Sequence, residues 1–169
     1  DFLNNKIPYK ESFIHYGILT TIIHSIFYSI TNSVISIFFF TSILYVLSII
    51  FVTLIIKKFT NNNYCYLFIY LIFFFQPFTV YPWHTYLVYF FLSLGLYIYF
   101  NKTLFSYFFF GLVIQLIYLI SDSSKFFTYI IFLITIFFII LENKKNYLKF
   151  LSLFVLGYSL PLLIFLISL

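Results

Sequence analysis

Long apolar stretches alternate with short polar breaks along most of this chain. From residue 34 onward, the apolar stretches lie near 34–56, 65–80, 86–100, 104–120, 126–141 and 150–169. A helix needs about 20 mostly apolar residues to cross the ~30 Å hydrocarbon core of a bilayer. The pattern therefore predicts an all-α fold, a multi-pass transmembrane helical bundle of about six spans in 34–169.

The first 33 residues follow a different pattern. Residues 1–17 are mostly polar, and the apolar run 18–30 has about 13 residues, which is too short for a crossing. At 100° per residue the polar side chains of this run share one side of a helix and the large apolar ones share the other. The polar side consists of Thr20, Thr21, His24, Ser25, Tyr28 and Asn32. We predict that 1–33 form an extracytoplasmic loop with an amphipathic juxtamembrane helix at the membrane interface, whose polar side faces water or protein.

Composition excludes several classes of protein. Hydrophobic residues make up 64% of the 169 residues and charged residues only 8%, whereas a soluble domain carries about 25% charged residues. The chain has too few polar groups to cover a water-facing surface, so a soluble enzyme, a disordered chain and a disulfide scaffold are excluded. The lysines are scattered and there is no arginine, which argues against a nucleic-acid partner. Membrane lipids are the expected partners.

The lysines also indicate which side of the membrane each loop faces. If the N-terminal loop is outside, the inside loops hold Lys57, Lys58, Lys102, Lys144, Lys145 and Lys149. The outside loops hold Lys6, Lys10 and Lys125. Cytosolic loops carry an excess of lysine and arginine. We therefore expect an integral protein of the cytoplasmic membrane with an extracytoplasmic N-terminal loop.

The first loop resembles that of a known family. The chain reads KIPYKE at 6–11 and HYGIL at 15–19. This is similar to the first extracytoplasmic loop of polytopic glycosyltransferases of the GT-C superfamily, such as the dolichyl-phosphate-mannose–protein mannosyltransferases (glycosyltransferase family 39). Bacterial members often read Gly-Lys-x-Pro-Tyr-x-Asp-Phe and then His-x-Gly-Pro-Leu. The chain departs from that pattern at Asn5, Glu11 and Ile18, where the family has Gly, Asp and Pro.

Two later segments resemble the same family more loosely. Residues 81–86 (YPWHTY) are similar to its second outer loop, in which some members carry a second Asp near the place of His84. Residues 111–124 are similar to a Gly-Leu-rich helix that ends in a polar outer turn. A basic residue is common at the end of that helix, where this chain has Asp122, with Lys125 a turn later.

The resemblance implies a transferase that moves a sugar from a polyprenyl-phosphate carrier, the lipid-linked sugar donor, to a lipid, glycan or protein acceptor at the outer membrane face. Such chemistry needs a carboxylate that deprotonates or orients the acceptor hydroxyl. It also needs cationic or hydrogen-bonding groups beside the departing phosphate. The resemblance assigns catalysis to Glu11. It assigns substrate binding to the outer-loop residues Lys6, Tyr9, Lys10, His15, His84, Asp122 and Lys125.

The chain contains no methionine, so we expect it to be an internal piece of a longer protein. The family's principal catalytic Asp usually precedes the Lys-x-Pro-Tyr pattern, and Asp1 is too close to that pattern to be this residue. We therefore expect the principal Asp upstream of residue 1. No pair of His, Cys or acidic residues has a metal-ligand spacing on one helix, so the sequence predicts no cofactor and supports no divalent metal.

Two other functions are open at this point. A transporter or flippase for a lipid-linked or small solute would be favoured by inverted repeats or by helices broken at the midplane, but only Pro161 interrupts a span. A non-catalytic membrane assembly component would need no chemistry in its outer loops. Glu11 also fits a solvated charge, and His84 fits an aromatic belt. Asp122 and Lys125 also fit a surface ion pair.

Overall fold

The structure is a computed structural model, and it describes residues 17–75, 84–143 and 145–167. These residues contain seven α-helices and no strand, which confirms the all-α prediction. The helices are α1 (Ile18–Thr31), α2 (Val34–Lys57), α3 (Asn63–Phe75), α4 (His84–Tyr99), α5 (Leu104–Ile120), α6 (Lys125–Glu142) and α7 (Tyr147–Ile167). A single 3₁₀ turn, Asp122–Ser124, connects α5 to α6.

Three helical segments are long and apolar enough to cross a membrane. They are Val34–Lys57, Asp122–Glu142 and Tyr147–Ile164. Helices of this kind are typical of a membrane protein. The predicted spans near 65–80, 86–100 and 104–120 hold the shorter helices α3, α4 and α5, so their crossing of the membrane stays a prediction.

Short polar residues set several helix ends. The Ser33 hydroxyl accepts a hydrogen bond from the amide of Ile35 at 3.2 Å and caps the start of α2. The Thr103 hydroxyl accepts one from the amide of Ser106 at 3.2 Å and caps α5. These side chains satisfy backbone donors that have no partner within the helix. At the end of α1, Asn32 adopts a left-handed conformation (φ 49°), which asparagine tolerates better than most residues.

Helix α5 lies at the centre of the bundle. It packs against α1, α4, α6 and α7, while α2 packs against α1, α3 and α4. The main apolar cluster joins α5 to α6 and α7, and its buried members are Tyr107, Phe110, Ile114, Ile139 and Phe154. A second cluster joins Leu44 of α2, Leu87 of α4 and Ile120 of α5. The position of α5 therefore sets the relative positions of most other helices.

The crossing of α5 and α7 depends on two glycines. A Cβ atom added at Gly111 would overlap the carbonyl oxygen of Phe154 and lie 2.9 Å from the amide nitrogen of Tyr158. A Cβ atom added at Gly157 would overlap the carbonyl oxygen of Phe108. Each helix thus approaches the other's backbone at a residue that has no side chain. Small residues that allow such close approach are a common source of helix association in membranes.

We expect Gly157→Ala to destabilise the bundle by about 1–3 kcal/mol, because the new methyl group meets backbone atoms that can move only if the two helices separate. Gly95→Ala is the matched control. Its Cβ atom would meet side-chain atoms of Val113 at 2.9 Å and Phe110 at 3.2 Å, which can shift by rotation. Thermal unfolding in detergent should show the larger loss for Gly157→Ala, and equal losses would contradict the close crossing.

Candidate functional site

The helix connections separate into two ends of the bundle. The lysine end comprises the turns at 57–63, 99–104 and 142–147. The ammonium group of Lys58 donates to Asn101 at 2.5 Å, and Lys102 lies 3.2 Å from the Glu142 carboxylate. These two contacts join the three turns, which carry Lys57, Lys58, Lys102 and Lys145 among the described residues. The opposite end, which we name the α1 end, comprises Gly17, His84 and residues 120–125.

The start of α1 is fixed against the last turn of α5. A Cβ atom added at Gly17 would overlap the backbone of Leu119 and Ile120. The buried Thr20 hydroxyl donates a hydrogen bond to the carbonyl of Ile120 at 2.8 Å. This carbonyl lies in the last turn of α5, where carbonyl oxygens have no amide partner within the helix. Gly17, which follows the polar sequence 1–16, is therefore held at the carboxyl end of the central helix.

The contacts of α1 decide where its two sides face. The polar side was predicted to face water or protein, and at Thr20 it faces protein. The apolar side is divided: Phe27 stacks on Phe40 of α2 with ring centroids 3.9 Å apart, whereas Ile30 is 73% exposed. Helix α1 therefore packs on the bundle through Thr20 and Phe27 and leaves Ile30, near its carboxyl end, exposed.

The turn after α5 holds two of the predicted substrate-binding residues. Asp122 and Lys125 form an ion pair at 2.5 Å, and both side chains remain about half exposed (52% and 42%). The Ser124 hydroxyl donates to the carbonyl of Ile117 at 2.8 Å, so it holds this turn against the end of α5. An exposed ion pair of this kind contributes little to stability. Because both side chains are about half exposed, the two charges are accessible to a ligand at the α1 end.

His84 belongs to the same end of the bundle. It is the first residue of α4 and is half-buried. Leu87, one turn later, is 1% exposed and packs in the cluster with Leu44 and Ile120. Tyr86 makes an edge contact with Tyr45 of α2, with centroids 5.4 Å apart. The first turn of α4 is thus locked against the same last turn of α5 that holds Gly17 and Thr20.

His24 is a polar group of α1 that lies against the bundle. Its Nε2 atom is buried and has no hydrogen-bond partner among the described residues. Burial disfavours the charged imidazolium and lowers the pKa of His24 below its ordinary value of 6.5. Burial therefore favours the neutral imidazole of His24.

The structure places His84, Asp122 and Lys125 at the same end of the bundle and pairs Asp122 with Lys125, which agrees with the surface ion pair that the sequence left open. The assignment of these residues to substrate binding stays a prediction. The predicted residues Lys6, Tyr9, Lys10, Glu11 and His15 lie outside the described residues. The contacts of Gly17 and Thr20 with Ile120 were not predicted, because the neighbour of a helix face cannot be deduced from its periodicity.

Two further observations bear on chemistry. Within 17–75, 84–143 and 145–167, no group of three or more His, Cys, Asp and Glu side chains could hold a metal ion. Comparisons with protein-family models, with curated proteins and with solved structures found no significant match. Function must therefore be argued from the geometry together with the resemblance in the first loop.

The lowered pKa of His24 predicts a pH dependence of stability. Well above pH 6.5 His24 is neutral in both the folded and the unfolded chain, so it adds no dependence. As the pH falls through 6.5, the unfolded chain takes up a proton that the folded protein resists, so the free energy of unfolding decreases until the lowered folded pKa is reached. Thermal unfolding of the wild type and of His24→Gln should diverge as the pH falls through 6.5. If the two proteins lose stability in parallel as the pH falls, the prediction is wrong. His15 and His84 are present in both proteins, so they cannot cause a difference between them.

Proposed function

We propose that this chain is part of a multi-pass membrane glycosyltransferase that moves a sugar from a polyprenyl-phosphate carrier to an acceptor at the outer membrane face. The observation that carries the proposal is the convergence at the α1 end. The end of loop 1–16 at Gly17, the start of α4 at His84 and the Asp122–Lys125 turn all pack around the last turn of α5. The three segments that resemble the GT-C family are therefore compatible with one site.

In the proposed reaction, a carboxylate acts on the acceptor and lysines act on the departing phosphate. The Glu11 carboxylate would orient or deprotonate the acceptor hydroxyl that attacks the sugar. The bond that breaks joins the sugar to a phosphate oxygen, and negative charge grows on that oxygen. Lys6, Lys10 and Lys125 would stabilise this charge, since preorganised cations act most strongly where charge develops. The Asp122 carboxylate would hold Lys125 in place at 2.5 Å until the phosphate arrives.

The remaining polar loop residues would position the donor. Tyr9 and His15 lie in the polar loop that ends at Gly17, and His84 opens α4 beside aromatic residues. Aromatic rings and imidazoles at the membrane interface suit a substrate with a polar headgroup and an apolar tail.

We further propose that α2 to α7 all cross the membrane, which gives six spans. Helix α5 has 17 residues, so it is about 26 Å long against a ~30 Å hydrocarbon core. It lies inside the bundle, where neighbouring helices and polar residues at its ends can cover the shortfall. Because lysine-rich loops face the cytosol, the lysine end would be cytosolic and the α1 end extracytoplasmic.

Cysteine labelling tests this orientation. In a Cys65→Ser background, Ser123→Cys places a thiol at the α1 end and Asn61→Cys places one at the lysine end; both positions are exposed. We expect a membrane-impermeant maleimide to label Ser123→Cys in intact cells and Asn61→Cys only after permeabilisation. The reverse pattern would invert the orientation and would place Lys6 and Glu11 in the cytosol.

Substitution of the proposed catalytic carboxylate tests the reaction itself. We expect Glu11→Gln in the intact protein to reduce sugar transfer by about 10²–10⁴-fold, the usual contribution of general acid–base catalysis. The assay follows loss of radiolabelled sugar from synthetic mannosyl-, glucosyl- and arabinosyl-polyprenyl phosphates in nanodiscs. Asp1→Asn is the matched control, since it removes a carboxylate from the same loop. Unchanged transfer in Glu11→Gln would remove this residue from the mechanism.

A further inference from the structure

A long apolar groove lies between α4 and α6. Both helices pack on α5, and the buried Phe110 of α5 lies between them. The groove has a volume of 380 Å³ and is bordered by Leu96 of α4 and by Ile131 and Ile134 of α6. Along α6 it extends from Phe127 to Glu142, which is about 22 Å and exceeds the ~15 Å of one bilayer leaflet. It is therefore long enough for the hydrocarbon tail of one lipid.

A shallow, open bowl adjoins the groove at the lysine end. The bowl has a volume of 480 Å³ and is lined by Glu142, Asn143, Lys145 and Asn146 together with the apolar residues Leu141 and Phe150. Glu142 borders both spaces, so the groove and the bowl meet at this residue. An apolar groove that meets a bowl with charged and amide side chains suits an amphiphile, with a tail on one side of Glu142 and a headgroup on the other.

The charges of the bowl favour an anionic headgroup. Lys102 lies 3.2 Å from the Glu142 carboxylate and neutralises it. Lys145 lines the same bowl and adds a net positive charge. The amide nitrogen of Asn143 donates to the carbonyl of Ile139 at 3.2 Å, which fixes that side chain at the rim. A phosphate group in the bowl would meet the ammonium group of Lys145 and the side-chain amide of Asn146, with Lys102 paired to Glu142 at the rim.

The hydroxyl of Tyr99 indicates where the ester groups of a bound lipid would lie. Tyr99 borders the groove close to Glu142, and its hydroxyl oxygen is buried with no hydrogen-bond partner among the described residues. A buried phenol nearly always has a partner, because leaving its donor unpaired is costly. The ester carbonyl of a glycerolipid lies between the phosphate and the acyl chain, so it would accept the bond that this hydroxyl lacks once the Tyr99 side chain turns its oxygen toward the groove.

We propose that the groove and the bowl together bind one anionic glycerophospholipid of the surrounding bilayer. An acyl chain lies along the groove, the ester carbonyl accepts a hydrogen bond from Tyr99, and the phosphate lies beside Lys102 and Lys145. The site is separate from the α1 end and does not depend on sugar transfer. It would fill the gap between α4 and α6 and couple the packing of both helices to the lipid composition of the lysine-end leaflet.

Photo-crosslinking tests the proposal in the intact protein. Nanodiscs of phosphatidylcholine would carry a minor fraction of phosphatidylglycerol with a diazirine on its acyl chain, and crosslinked peptides would be mapped. We expect crosslinks concentrated on the groove residues of α4 and α6. Lys145→Gln should lower the yield about fivefold, as expected for one lysine that attracts an anionic lipid. Tyr99→Phe should lower it by a similar factor, as expected for one hydrogen bond.

Matched variants separate the groove from general lipid contact. Ile134→Trp fills the groove and should abolish the crosslinks, whereas Leu133→Trp, on the neighbouring exposed position outside the groove, should leave them unchanged. Lys57→Gln, a lysine of the same end outside the bowl, controls for Lys145→Gln. Equal yields from the same diazirine on phosphatidylcholine would overturn the anionic headgroup. Crosslinks spread evenly over all lipid-facing helices, or unaffected by Ile134→Trp, would overturn the site.

Discussion

Helix α5 can occupy the centre of the bundle because Gly111 and Gly157 let its backbone touch that of α7. This close crossing fixes α5 between α4, α6 and α7, and its two ends then define the two polar regions of the molecule. At one end, the carbonyl of Ile120 receives Thr20 and brings α1 into place. At the other, Tyr107 in the first turn of α5 lies beside the α6–α7 turn, and its hydroxyl accepts a hydrogen bond from Asn143 at 3.4 Å.

The two ends differ in chemistry because they differ in the balance of charge. The lysine end brings together Lys58, Lys102 and Lys145 with the single carboxylate of Glu142 among its described residues. Such an excess of cations suits the anionic surface of a cytosolic leaflet. The α1 end has a balanced pair, Asp122 and Lys125, next to histidine and tyrosine side chains. A balanced, hydrogen-bonding surface suits a polar substrate that changes its charge during a reaction, which is consistent with the function proposed for this end.

The positions of the helices could be predicted from the sequence because a long apolar run between polar breaks has few other solutions in a membrane. The pairing of Asp122 with Lys125 could also be predicted, because residues three apart on a helical turn are neighbours. The residues that Gly111, Thr20 and Glu142 contact could not be predicted from the sequence. Each depends on how one helix is rotated against another, and a chain that is apolar on nearly all sides has little periodicity to fix that rotation. The sequence gives one hint of the Glu142 contact, since Glu142 is the single acidic residue among the lysines of the predicted inside loops.

The groove between α4 and α6 follows from the same composition that permits the α5–α7 crossing. The chain has 28 phenylalanines and four glycines, and it has no alanine, so close approach of helix backbones depends on its glycines and its small hydroxyl residues. Two of the four glycines serve the α5–α7 crossing, and Gly95 of α4 faces Val113 and Phe110 of α5. Helix α6 has no glycine, and its small residues Thr128 and Thr135 are already buried. Phe110 of α5 lies between α4 and α6, and large side chains of both helices border the space beside it, which is the apolar space that the proposed lipid tail would fill.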